Sequence, residues 1–167
     1  MRSFRLATVW LTGCSGCHMS LLNLHQGLLQ VLEQYELVYS PLLDIKVYPE
    51  GVDLVLVEGA VATADNQEMA RIIRQQTKIV ISLGDCAVNG NVTGLRNPIS
   101  REEVLRCSYG SQQENPPASQ LLPKVLPLHQ VIRVDDFIPG CPPEPLQIKL
   151  KLAAAQERLI GFMAPQR

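Results

Sequence analysis

Two runs in the middle of the chain, Asp53–Val57 and Lys78–Ser82, are apolar on both faces apart from their ends. A strand with one wet face alternates apolar and polar residues, whereas one apolar throughout has to be covered on both sides. That is the situation of a parallel sheet between two layers of helices. Further runs rich in β-branched and apolar residues at Phe4–Trp10, Glu36–Tyr39 and Val131–Val134 supply three more strands. The segments between them carry helical signals. Leu21, Leu24, Leu28 and Leu32 follow the 3.6-residue period and predict one helix over about Ser20 to Glu33. Asp65 with Glu68 forms a capping box ahead of a buried stripe of Met69, Ile72 and Ile73, and Ser100 with Glu103 caps a short helix. Pro142 and Pro143 suit the first turn of a last helix, in which Leu146, Leu150 and Ala154 keep helical spacing. The order of elements is that of an open α/β three-layer fold of flavodoxin-like type, a parallel sheet with helices on both faces. Residues 110–127, rich in Gln, Pro and Ser, read as a surface excursion within one domain over residues 1–167.

Composition narrows the partners. With 15 basic and 16 acidic residues, a net charge of −1 and no long run of one sign, the chain lacks the electrostatic footprint of a nucleic-acid or anionic-membrane binder. Proteins and small molecules remain. Five cysteines at uneven spacing do not make the dense framework of a small secreted disulfide protein, so a reducing compartment is expected. The basic start followed by apolar Leu6–Leu11 imitates an export signal ending at Cys14, but Arg5 and Thr8 break it up. No other stretch approaches the ~20 apolar residues of a membrane span. The expected location is cytoplasmic.

Four of the cysteines stand beside glycine or proline: Cys14 and Cys17 in Gly-Cys-Ser-Gly-Cys-His, Cys86 in Gly-Asp-Cys, and Cys141 in Pro-Gly-Cys-Pro-Pro. Each follows a predicted strand. Ligands in open α/β folds gather beyond the carboxyl ends of the strands, so residues as far apart as Cys14 and Cys141 can meet at one edge of the sheet. Four convergent thiolates are what a single [4Fe-4S] cluster requires, and its task would be electron transfer. Two other readings stay open. A thioredoxin-like dithiol pair would leave Cys86 and Cys141 without a role, and structural zinc usually draws on a second close pair of ligands, which is absent. Cys107, away from any glycine or proline turn, reads as a free thiol.

Beside the cysteines, His18 directly follows Cys17 and could donate to a cluster sulfur or serve the helix start. Glu58 ends its strand at the same edge, where a carboxylate could relay protons or stand beside a cluster. Asp85 reads as a residue that fixes its turn through backbone hydrogen bonds. His25 and His129 read as structural.

Together, Thr-Val-Trp-Leu-Thr-Gly-Cys-Ser-Gly-Cys-His-Met-Ser, Val-Glu-Gly-Ala-Val, Gly-Asp-Cys-Ala-Val-Asn-Gly-Asn-Val and Ile-Pro-Gly-Cys-Pro-Pro resemble the small subunit of nickel-iron hydrogenases, over Val9 to Pro143. The resemblance is greatest to the short small subunit of the cytoplasmic bidirectional, NAD-linked enzymes. It implies that Cys14, Cys17, Cys86 and Cys141 hold one proximal [4Fe-4S] cluster. It also implies that the nickel-iron centre is on a large-subunit partner, and that electrons pass to a diaphorase module with flavin, further clusters and an NAD site. Gly13, Gly16, Gly84 and Gly140 would let backbone N–H groups approach the cluster sulfurs, and Glu58 and His18 would stand just outside the ligands. Some relatives place flavin mononucleotide on the small subunit, but no motif here fixes a flavin site and none is expected on this chain. The resemblance leaves two alternatives. One is the cluster-bearing subunit of an energy-converting hydrogenase or a quinone-reducing complex, whose cysteine pairs are typically adjacent or followed by acidic residues. The other is a stand-alone thiol-redox or flavin module.

Overall fold

Every residue of the strand β3 (Val52–Glu58) is buried, and the sheet is built outward from it. The computed structural model describes residues 3–110 and 120–163. On one side of β3 lies β1 (Phe4–Trp10), then β2 (Tyr35–Tyr39). On the other side lie β5 (Thr77–Leu83) and the short β7 (Asp136–Ile138). All four pairings are parallel, in the order β2-β1-β3-β5-β7. Between β3 and β5 the chain also forms β4 (Val61–Thr63), which pairs antiparallel with β6 (Leu121–Leu126) in a separate two-stranded sheet. With that ribbon set aside the order is 2-1-3-4-5, the flavodoxin-like arrangement. The alternation along β3 feeds two cores. Leu54 and Leu56 face α1 (Gly16–Leu22), α2 (Gln26–Gln34) and α7 (Pro145–Met163), through Leu21, Val31, Ile148, Leu152 and Leu159. Val55 and Val57 face α3 (Ala64–Gln76), through Ala70 and Ile73, and the single turn Leu128–Gln130. Three layers result. Each fully buried Leu or Ile contributes about 1.5–3 kcal/mol, so the paired cores dominate the fold's stability.

Several local expectations give way to tertiary contacts. The fifth strand is β7, not 131–134. The amides of Val131 and Ile132 both bond Leu128 O and keep the chain coiled, and only when Asp135 N donates to Val80 O does it come alongside β5. The single helix expected over 20–33 is two, broken at His25 (φ 49°), so the second helix is rephased. Val31 turns inward and Leu32 faces solvent. The cap of α3 is Thr63, whose Oγ1 accepts the Asn66 amide at 3.2 Å, rather than the box of Asp65 and Glu68. Ser100 does cap α6 (Arg101–Tyr109), accepting from the Glu103 amide. In α7, which starts beyond Pro142 and Pro143, the stripe of Leu146, Leu150 and Ala154 is exposed. The opposite stripe of Ile148, Leu152, Ala155 and Leu159 meets the sheet. Of the excursion expected over 110–127, residues 111–119 lie outside the described residues, and Leu121–Leu126 forms β6.

Candidate functional site

The carboxyl ends of β1 and β3, where the strand order reverses, open the crevice in which folds of this order bind ligands. The chain leaving β1 is held against the chain leaving β3. Leu11 N donates to Glu58 O at 2.8 Å, Thr12 N to Ala60 O at 3.1 Å, and Ala60 N to Thr12 O at 2.8 Å. Thr12 Oγ1 also donates to Asn66 Oδ1 at 2.7 Å. From there a left-handed Ser15 (φ 65°) turns the backbone into α1, which carries Cys17 buried and leaves Cys14 exposed. Cys86 is half-buried in the first turn of α4 (Asp85–Asn89), immediately beyond β5, and Cys141 is exposed beyond β7.

These four thiols meet electrostatically. The Cys17 thiol is pushed up to about 12, first by burial, then by the Glu58 carboxylate and by Cys86, Cys14 and Cys141. Burial also raises Cys86, with Cys141 and Cys14 adding to it and hydrogen bonds from Thr93 opposing it. Packing shows the same convergence. A Cβ on Gly84 would lie 2.2 Å from Cys17 Sγ, and one on Gly16 would lie 3.2 Å from Cys14 Sγ. A Cβ on Gly140 would lie 2.6 Å from Pro143 Cα, and one on Gly13 would lie 3.2 Å from Gly59 Cα. The glycines therefore act here by lacking a side chain. The amides of Gly84 and Gly140 themselves donate to Ile138 O and Asp85 Oδ1. Cys107 stands apart on α6, exposed, its thiol donating to Glu103 Oε1 at 3.5 Å.

Two carboxylates brace the cysteine loops. Glu58, 1% exposed, accepts the His18 amide at 2.9 Å through Oε2, which also lies 2.5 Å from His18 Nδ1. Its carboxylate has no Lys or Arg within 4 Å among the described residues, and the ring of His18 is its side-chain partner. The second ring nitrogen of His18, Nε2, is buried without a partner there. Asp85 Oδ1 accepts the Gly140 amide at 2.7 Å, while its own amide donates to Gly140 O at 2.9 Å. Ser20 Oγ donates to Pro143 O and ties α1 to the Cys141 loop. His25 is exposed between α1 and α2, and His129 packs edge-on to Phe137. No local pattern in the sequence marks Thr93 or Ser20. Thr93, on α5 (Asn91–Gly94), is seven residues past Cys86, and only the bend at Gly90 (φ 89°) brings it back.

The donor set suits an iron–sulfur cluster. Four thiols on three loops, with space kept by glycines and each thiolate disfavoured by its neighbours until a cation binds, match the chemistry of cysteine ligands that must lose their protons on binding. No group of three or more His, Cys, Asp or Glu among the described residues is placed to hold a single metal ion. Nor is any helix among them long and apolar enough to cross a membrane.

Residues 14–155, the span that contains all four cysteines, match the family described as NADH ubiquinone oxidoreductase, 20 Kd subunit. The chain belongs to this family. Within it, the resemblance to hydrogenase small subunits is borne out. The chain is 38% identical over 151 residues to the delta subunit of the NAD-reducing hydrogenase HoxS of Cupriavidus necator, covering 84% of this chain and 72% of that one. It is 42% identical over 155 residues to a subunit of the F420-non-reducing hydrogenase vhu of Methanocaldococcus jannaschii, covering 86% of this chain and 53% of that one. The chain thus spans about half the length of that second relative. Among solved structures, a chain of an NAD+-reducing [NiFe]-hydrogenase in the H2-reduced state superimposes with a TM-score of 0.84 at 36% identity, covering 96% of this chain and 93% of that one. The three-layer fold is shared with that structure.

Proposed function

We propose that the chain is the electron-transfer small subunit of a nickel-iron hydrogenase. In this reading Cys14, Cys17, Cys86 and Cys141 hold one proximal [4Fe-4S] cluster between a nickel-iron large subunit and an NAD-reducing diaphorase module, which together catalyse H2 + NAD+ = NADH + H+. The observation that carries it is the meeting of four thiols from three loops at the switch point of the sheet. When bound, the cluster supplies a one-electron carrier. The chain's own residues set its surroundings. Cys17 closes the inner side of the site, while Cys14 and Cys141 reach the surface where a partner can cover them. Glu58 holds the amide and ring of His18, and so the first turn that aims Cys17. Thr93 acts against the burial that raises Cys86, which favours the thiolate and tunes what it ligates.

The test is to purify the tagged chain with its native partners under anaerobic conditions and to measure hydrogen-dependent reduction of NAD. NADH formation is expected, together with iron and acid-labile sulfide in equal amounts. The identity of 42% to a component of an F420-non-reducing hydrogenase favours a second reading, in which the same small subunit serves another acceptor. Hydrogen-driven reduction of an artificial dye without NADH formation would select it. An intact complex free of nickel and without activity would instead select a quinone-reducing relative.

A further inference from the structure

The parallel pairing of β5 with β7 ends at Leu83 and Ile138, yet the two chains stay together for two more residues. Gly84 N donates to Ile138 O at 2.8 Å and Asp85 N to Gly140 O at 2.9 Å. The next donor on the β7 side, Gly140 N, has no backbone acceptor opposite it, because α4 begins at Asp85 and turns the chain away. The Asp85 carboxylate fills that gap, accepting Gly140 N at 2.7 Å. The residue pair therefore exchanges two hydrogen bonds, one made by backbone and one by side chain. Cys86 directly follows one member of the pair and Cys141 directly follows the other.

The rest of the setting favours a device over an ordinary turn. A residue that only fixed its own turn would bond within a few positions, and Asp85 reaches 55 residues along the chain. Gly140 has φ of 132° and no room for a Cβ beside Pro143, so its amide direction is set by the backbone and needs an acceptor placed to suit it. Gly84, next to the clasp, is where Cys17 Sγ and Gly140 O both pack. Three of the four cysteine positions are thereby referred to one point.

We propose that Asp85 is a positioning residue whose carboxylate oxygen, by accepting the Gly140 amide, fixes the separation of Cys86 and Cys141 before any cluster is bound. The inference rests on the cluster reading given above. The carboxylate acts as a hydrogen-bond acceptor, so its charge is not required. Asparagine offers the same oxygen at the same reach, and alanine offers none.

The purified complex carrying Asp85→Ala or Asp85→Asn separates these roles. The readouts are the electron paramagnetic resonance spectrum of the reduced cluster and the rate of iron loss to a chelator, alongside circular dichroism as a control on folding. Asp85→Asn is expected to keep the wild-type spectrum and iron retention. Asp85→Ala is expected to broaden the spectrum and to weaken iron retention by roughly 10–100-fold, the usual effect of removing a partner just outside a metal's ligands. Wild-type behaviour of Asp85→Ala overturns the proposal, as does an Asp85→Asn variant that fails like Asp85→Ala. If Asp85→Ala gives no folded complex, amide exchange at Gly140 decides by comparing Asp85→Asn with wild type. Equal protection supports the clasp and faster exchange overturns it. A wild-type complex without four-iron signals would remove the cluster reading itself, and this inference with it, whereas a normal wild-type cluster with an indifferent Asp85 removes the inference alone.

Discussion

A Cβ at position 84 would sit 2.2 Å from Cys17 Sγ on a backbone with φ of +79°, so Gly84→Ala combines a clash with a conformation that side chains avoid. Strain of this kind costs about 1–3 kcal/mol and overpacking a similar amount, and here both fall on a proposed ligand. Gly84→Ala is expected to lower the unfolding midpoint in urea and to cut the iron bound per chain by more than half. Among the cysteines the contrast is sharper. Cys141→Ala should strip this chain of its cluster iron and abolish hydrogen-driven dye reduction by the complex, because three thiolates leave one iron without its protein ligand. Cys107→Ser, on the exposed face of α6, should leave both near wild type. Reversal of this pair would show that the four ligands are differently chosen. At this scale the sequence is most legible where chemistry is carried by residue type. Cysteine, glycine and proline mark the site without help from the fold. Asp85 and Thr93 are legible only in part, since the Gly140 amide and the Cys86 sulfur reach them through bends that no local pattern encodes.

At the scale of elements, strands came through better than helix boundaries, for a physical reason. A central strand such as β3 needs apolar residues at every position, and few other structures tolerate such a run. A helix presents two or more stripes, and spacing alone does not say which one meets the sheet. In α7 the stripe of Leu146 and Leu150 and that of Ile148 and Leu152 both obey the period, and packing chose the second. The start of α3 tests a similar ambiguity. Thr63→Ala removes the oxygen that accepts the Asn66 amide and should destabilise the chain by about 1 kcal/mol. Asp65→Ala, which removes only a favourable charge from the first turn, should cost no more than roughly 0.3–1 kcal/mol. Urea unfolding of the two variants measures the difference, and a larger loss from Asp65→Ala would return the cap to that residue.

For the whole molecule, Asp135 shows how the layers are locked and how acid would unlock them. Burial raises its carboxyl, but the Val80 amide at 2.9 Å and the Arg74 guanidinium at 2.6 Å outweigh that, and the group is held below the usual carboxylate value. A carboxyl depressed in the folded state contributes stability that is complete above its unfolded value, roughly pH 4, and is lost as pH falls through the folded value. Asp135→Asn should therefore be clearly less stable than wild type at pH 7, and the gap should shrink at about pH 3. Urea titrations at the two pH values measure this, and a gap that widens in acid would contradict the assignment.

Asp135 also leads the chain into β7, and from β7 into Gly140 and Cys141. The reciprocal pair of Asp85 and Gly140 cannot form until this last, three-residue strand has found β5 across more than fifty intervening positions. Pairings between segments so distant in sequence come late in folding, because the loop they close has to be ordered first. A molecule caught with its sheet one strand short would present three cysteines, and the fourth would still be adrift. On the proposed ligand set, loading would work as an inspection step: only a chain that has finished folding would offer a complete seat.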